Sequence, residues 1–196
     1  MKNIIKFKFI ILFLLGIISC KSQQVYPLNA SAFRTPTNSY FKDLNNELDP
    51  YIGTWKGTFQ GNTTTLIITK ELKRSYEMFG KNFFEDVLII KYEVKDTNGN
   101  ILQTSLNAVY PTGGSVKYLI ISTGTNRDSN NEVNLAYAGG NCGAGGGEIK
   151  FQKISNTQFY WSYYPGVTTR NDVTCPPNLD YHIYLPETEN LVFTKQ

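Results

Sequence analysis

Leu88-Ile89-Ile90-Lys91-Tyr92-Glu93-Val94-Lys95 is the stretch that decides the fold. Leu88, Ile90, Tyr92 and Val94 alternate with Ile89, Lys91, Glu93 and Lys95, the period of two expected of a strand with one buried face. Asn98-Gly99 follows as a turn signal. A two-residue turn there would set Val94 opposite Gln103 and Tyr92 opposite Ser105, placing polar groups on the apolar face. A three-residue loop Thr97-Asn98-Gly99, with Gly99 left-handed, sets Val94 opposite Leu102, Tyr92 opposite Thr104 and Ile90 opposite Leu106. A slip of one residue turns every side chain to the other face, so burial predicts the second register.

The same alternation extends outward. Trp55, Gly57 and Phe59 alternate with Thr54, Lys56 and Thr58, and Gly61-Asn62 predicts a tight hairpin. That hairpin sets Trp55 opposite Ile68, Gly57 opposite Leu66 and Phe59 opposite Thr64. Further strands are predicted at Val116 to Ser122, Glu132 to Tyr137, Glu148 to Ile154, Gln158 to Tyr164, Tyr181 to Leu185 and Asn190 to Thr194. Turn signals separate them at Pro111 to Gly114, Asn130-Asn131, Ser155-Asn156 and Pro176-Pro177. Upstream, Tyr40, Phe41, Leu44 and Leu48 recur at helical spacing, which predicts a short N-terminal helix from Ser39, stopped at Asp49-Pro50. A chain so rich in strands must close or stack its sheet to hide the edges. Short links between neighbours favour an all-β antiparallel up-and-down meander closing into a barrel of about 8–10 strands.

The first residues read as targeting rather than fold. Lys2, Lys6 and Lys8 precede an uncharged apolar run from Phe9 to Ile18, far short of the roughly 20 residues that span a bilayer. Ile17-Ile18-Ser19-Cys20 resembles the bacterial lipobox. That resemblance implies cleavage before Cys20 and acylation of its sulfur and new amino group, and two or more acyl chains anchor a protein stably. The expected organisation is a signal peptide over 1–19, a lipidated flexible tether over 20–38 broken by Pro27 and Pro36, and one barrel domain over 39–196. The protein is expected to be exported and membrane-bound through Cys20. Lys21-Ser22-Gln23-Gln24 lacks the acidic residues that resemble a surface-export signal, which points to the outer membrane, facing the periplasm.

Removing residues 1–19 takes three lysines from 19 Lys+Arg and none from 16 Asp+Glu, leaving 16 of each. No basic run remains to hold nucleic acid. Cys142 and Cys175 are an even pair in an oxidising compartment. They predict a disulfide closing about 33 residues, on the order of 3–4 kcal/mol.

Leu48-Asp49-Pro50-Tyr51-Ile52-Gly53-Thr54-Trp55 resembles the entry to lipocalin-like (calycin) barrels. In that family a tryptophan packs across the closed end, a role that falls to Trp55 here. A basic residue from a late strand covers it, and Lys195 is the candidate. The lipobox, the Leu48 to Trp55 stretch, Phe84 to Val94 and the ending Leu191 to Gln196 are together similar to small uncharacterised lipocalin-like lipoproteins of Bacteroidota.

Little points to catalysis. Gly139 to Gly147 lacks the Lys-Ser/Thr of a phosphate loop and precedes a strand pattern, so it reads as a loop pinned by Cys142. His182 is the lone histidine and cannot build the usual multi-histidine metal site. Glu85-Asp86 and Glu187/Glu189 read as solvated loop ends. No catalytic residue, metal or cofactor is expected. The 27 aromatic residues carry more information. Phe159, Trp161 and Tyr163 share one face of a strand, with Tyr160 and Tyr164 on the other. The leading expectation is a monomeric, non-catalytic binding module holding a small hydrophobic or aromatic molecule against Trp161, Tyr163, Tyr92 and Tyr118. The alternative is an accessory envelope protein with a filled barrel that docks a protein partner.

Overall fold

The structure, a computed structural model, describes residues 23–78, 80–111, 116–126, 132–168 and 171–196. The expected signal peptide, Cys20, the Asn130-Asn131 turn and most of the turn at Pro111 to Gly114 lie outside the described residues. Eleven strands run through the rest: β1 (Val25–Pro27), β2 (Tyr40–Lys42), β3 (Gly53–Phe59), β4 (Asn62–Met78), β5 (Lys81–Lys95), β6 (Ile101–Thr104), β7 (Ile120–Asn126), β8 (Glu132–Tyr137), β9 (Gly147–Lys153), β10 (Gln158–Pro165) and β11 (Leu191–Lys195). Eight of them close a barrel in the order β5-β4-β3-β11-β10-β9-β8-β7, with β7 returning to β5 through Ile89 opposite Ile121 and Ile90 opposite Ile120. Every pairing around the ring is antiparallel, and all but two join consecutive strands of the meander; the exceptions are the closure of β11 on β3 and the pairing of β5 with β7 across β6.

Alternation sends one face inward as expected. Leu88, Ile90, Tyr92 and Val94 are wholly buried, and so are Leu66, Val133, Ile149, Phe151, Trp161 and Phe193 from the surrounding strands. A smaller apolar cluster, Val87, Ile89 and Ile121, lies on the outer face beneath Tyr76, Tyr110 and Leu119. The β4–β5 hairpin runs on past the ring, and β1 and β2 add to that extension, pairing Val25 with Tyr40 and Tyr40 with Phe84.

Four expectations need correction. The hairpin after Trp55 turns at Gln60-Gly61, both left-handed (φ 49° and 84°), so Trp55 faces Leu66 and Gly57 faces Thr64. The slip is two residues and leaves the buried face unchanged. In the next hairpin Gly99 is left-handed as expected (φ 84°), but Val94 faces Gln103 and the backbone of Ser105 bonds to Tyr92. The polar pairing holds because the polar groups are used. Ser105 Oγ accepts from the Tyr92 amide (2.8 Å), and Gln103 Oε1 accepts from the Tyr92 hydroxyl (2.6 Å).

The short N-terminal helix does not form. Tyr40–Lys42 is β2, and only a 3-10 turn at Asp49–Tyr51 follows. Asn46 sits at φ 54°, which breaks a helix. Asp43 accepts from the amides of Glu47 and Leu48 and pairs with Lys70 at 2.8 Å, so side-chain bonding replaces the helical ladder. Val25–Pro27, expected in the tether, form β1, and Leu28 just after it enters the core.

Two strand boundaries also move. β7 starts at Ile120 rather than Val116, because Tyr118 turns the chain at φ 67°. Tyr181 to Leu185 forms no strand but crosses the barrel end as a strap.

Candidate functional site

The two ends of the barrel are built differently. At one end Trp55 lies across the interior, its indole N–H donating to the Tyr51 carbonyl at 2.7 Å. Phe159 meets it edge-on, with ring centroids 4.8 Å apart. The Lys195 ammonium sits 5.2 Å from the Trp55 ring centroid, a cation–π cover in the place expected from the sequence. Gly57 belongs to the same packing, since a Cβ there would stand 2.8 Å from the Phe193 ring.

From this closed end a continuous column of rings fills the interior. Phe159 stacks on Phe193 (5.5 Å), Phe193 meets Trp161 (5.5 Å), and Trp161 meets Tyr163 (6.2 Å). Tyr163 then meets Tyr137 (6.0 Å), Tyr137 meets Tyr92 (6.2 Å), and Tyr92 meets Tyr118 (6.4 Å). The fold therefore brings together all four residues expected to line a pocket, Trp161, Tyr163, Tyr92 and Tyr118, but it packs them against one another. Trp161 and Tyr92 expose no surface, and Tyr163 exposes 2%. A cavity able to hold a ligand beside them would leave their rings accessible to water.

The hydroxyls of this column are also occupied. Tyr92 donates to Gln103, so its oxygen receives the proton of Tyr137 (3.0 Å). Tyr163 donates to the Gly145 carbonyl. Burial, reinforced by Tyr137, pushes the Tyr92 phenol far above its usual range. Burial raises the Tyr137 phenol to about 12, with the Tyr92 bond acting in the opposite direction. These phenols stay neutral at ordinary pH and serve as polar spacers in the packing. Tyr137 and Gln103 were missed in the sequence reading. The alternation Val133, Leu135, Tyr137 carries the signal for the first, and nothing local carries the second.

The far end is capped by two loops. Residues 139–146 contribute Gly145, which is left-handed (φ 73°) and lies so close to Tyr163 and Ile183 that a Cβ would meet them at 2.9 and 3.0 Å. Residues 175–188 form a strap held from below. The Trp161 indole donates to the Pro186 carbonyl (2.9 Å), and the Tyr163 amide donates to the Thr188 carbonyl (3.0 Å). Cys142 and Cys175 are bridged, with their Cα atoms 6.0 Å apart, so the disulfide ties loop to strap. Asn141 adds a bond to the Asp180 carbonyl at 2.6 Å.

Open volume remains at this capped end, beside the cap. A crevice of about 230 Å³ lies between the β3–β4 turn and the strap, lined by Phe59, Gln60, Asn62, Thr64, His182 and Glu187 among others. His182 is exposed with its ring 4.5 Å from that of Tyr184, and Glu187 is exposed. A second, shallower depression of about 440 Å³ lies against Cys175, Pro177 and Tyr181. Among the described residues no group of three or more His, Cys, Asp or Glu could hold a metal ion.

A family model spans residues 1–196. The chain belongs to DUF6705, a family of unknown function. No curated protein and no solved structure matches it.

Glu85 and Asp86, expected as solvated, are buried on β5 in the hairpin extension. Asp86 accepts from the Tyr40 hydroxyl (2.6 Å), the Lys73 amide (2.9 Å) and the Asp43 amide (3.0 Å). Burial, with Asp86 alongside, pushes the Glu85 carboxyl up to about 8. Glu85 shares the outer face of β5 with Val87 and Ile89, in the hairpin extension and outside the barrel interior.

Proposed function

We propose that this protein is an exported, lipocalin-like, non-catalytic binding module, anchored through acyl chains on Cys20, whose barrel is a filled scaffold and whose recognition takes place at the capped end. The observation that carries this reading is the contrast inside one molecule. The inner rings Tyr92, Trp161 and Phe193 expose no surface and only Tyr118, at the column's end, is half-buried, whereas the capped end keeps a polar crevice of about 230 Å³. The lipobox-like Ile17 to Cys20 supports the anchor. Cys20 lies five residues before Val25, at most about 18 Å of extended chain. β1 joins the hairpin extension beyond the closed end. An anchor there leaves the closed end toward the bilayer and the capped end away from it.

A small apolar guest inside the barrel, the leading expectation from the sequence, requires the ring column to part. The filled interior favours the alternative architecture.

Native mass spectrometry of the intact protein purified from its own host tests both parts. The expected result is a mass carrying a diacylglyceryl group and an amide-linked acyl chain on a mature chain beginning at Cys20, with no apolar compound retained. A stoichiometric apolar guest would overturn the filled-scaffold reading, and an unmodified Cys20 would overturn the anchor.

A further inference from the structure

Building on the capped-end reading, we propose that the crevice between the β3–β4 turn and the strap is a binding site for a neutral, hydroxyl-rich ligand the size of a single sugar ring. Its volume of about 230 Å³ equals the share of roughly eight liquid waters. That is below the range of roughly 300–1,000 Å³ that holds drug-sized apolar ligands.

The lining matches hydroxyls. Gln60 and Asn62 bring two carboxamides, each both donor and acceptor; Thr64 brings a hydroxyl, His182 an imidazole and Glu187 a carboxylate. A sugar hydroxyl also donates and accepts, so it can be met from either side. Phe59, half-buried at the edge, offers a ring to the C–H face of a sugar. Lysine and arginine are both absent from the lining, and Glu187 is acidic, which disfavours phosphate, sulfate or carboxylate ligands.

Thr64 is the pointer to an occupant. Its residue is 1% exposed on the inward face of β4, opposite Gly57 and Val94. Its hydroxyl bonds to no described residue, although no fully enclosed side-chain N or O atom among the described residues lacks a partner. The hydroxyl therefore opens on the crevice. A buried hydroxyl facing a crevice without a protein partner is stabilised by a ligand or a water that supplies one.

The test is ¹H–¹⁵N chemical-shift titration of the full-length lipoprotein in detergent micelles with methyl α-glucoside, glucuronate and putrescine as probes. Methyl glucoside is expected to shift amides of 59–64 and 182–187 saturably, with glucuronate weaker by about tenfold. Asn62→Ala and His182→Ala are each expected to weaken the glucoside by about tenfold, the worth of a hydrogen bond, at an unchanged thermal midpoint. Shifts of these amides by putrescine alone would overturn the sugar class and leave the capped-end site standing. Glucuronate binding as tightly as glucoside would overturn the neutral-ligand claim. Silence from all three probes would overturn the crevice as a small-ligand site, whereas the capped-end reading falls only if the mass-spectrometric test also finds an apolar guest inside the barrel.

Discussion

The closed end and the capped end use the same material, aromatic rings on alternating strand positions, to opposite effect. At the closed end Trp55, Phe159 and Tyr51 pack on apolar neighbours, and one cation, Lys195, covers them. At the capped end the rings are tyrosines whose hydroxyls bond to Gln103, to Gly145 and to each other, and the cover is two loops joined by a disulfide. The first is a plug made of core. The second is a lid made of chain, its strap sending Leu185 into the core with Ile183 and Tyr184 packed beside it, and a crevice persists at its edge. Open volume thus persists where the cover is polar and tied, and packing closes the barrel where the cover is ring on ring.

The largest expected effect falls on both ends alike. Trp55→Ala and Trp161→Ala should each cost about 3–5 kcal/mol of unfolding free energy in urea titration. Only Trp161→Ala should also release the strap, read as faster hydrogen exchange across 181–188. Replacing Cys142 and Cys175 with serine should cost on the order of 3–4 kcal/mol and loosen 139–146 and 175–187, leaving exchange at Trp55 unchanged.

The hairpin extension supplies a pH test. Glu85 binds its proton more tightly folded, near pH 8, than unfolded. The folded chain therefore holds more protons between the two values, and stability falls as pH rises from about 5 to about 8. Glu85→Gln should remove that slope, seen in urea midpoints at the two pH values.

Smaller effects refine the comparison. Tyr137→Phe should cost about 1–2 kcal/mol by taking the donor from the Tyr92 oxygen. Lys195→Met should cost about 0.5–1 kcal/mol, the size of an exposed cation–π contact, and leave the capped end untouched.

The barrel was legible in the sequence because a period of two is local. Leu88, Ile90, Tyr92 and Val94 declare their face without knowing their partners, and β8 is found to the residue. Registers were harder, because they depend on which turn residues accept positive φ. Gln60 does so here, and that moved the first hairpin by two residues. The second register failed for a different reason. Apolar matching was assumed to rule, while Ser105 and Gln103 earn their inward places by hydrogen bonding.

Helical spacing at Tyr40 to Leu48 misled because Asp43 captures the amides that a helix would have used. The candidate site was half legible. Its aromatic members were named, but whether rings enclose a space or fill it depends on distances across the barrel that no sequence window contains. The crevice residues Gln60, Asn62 and Thr64 looked like an ordinary turn, and only the strap lying over them gives them a shared space.

The measurement that bears most directly on the filled barrel is a crystal structure determined under xenon pressure, since xenon enters dry apolar cavities too small for ligands. The account predicts no xenon among Tyr92, Leu135, Trp161 and Phe193. A xenon atom ordered among those four side chains would contradict it.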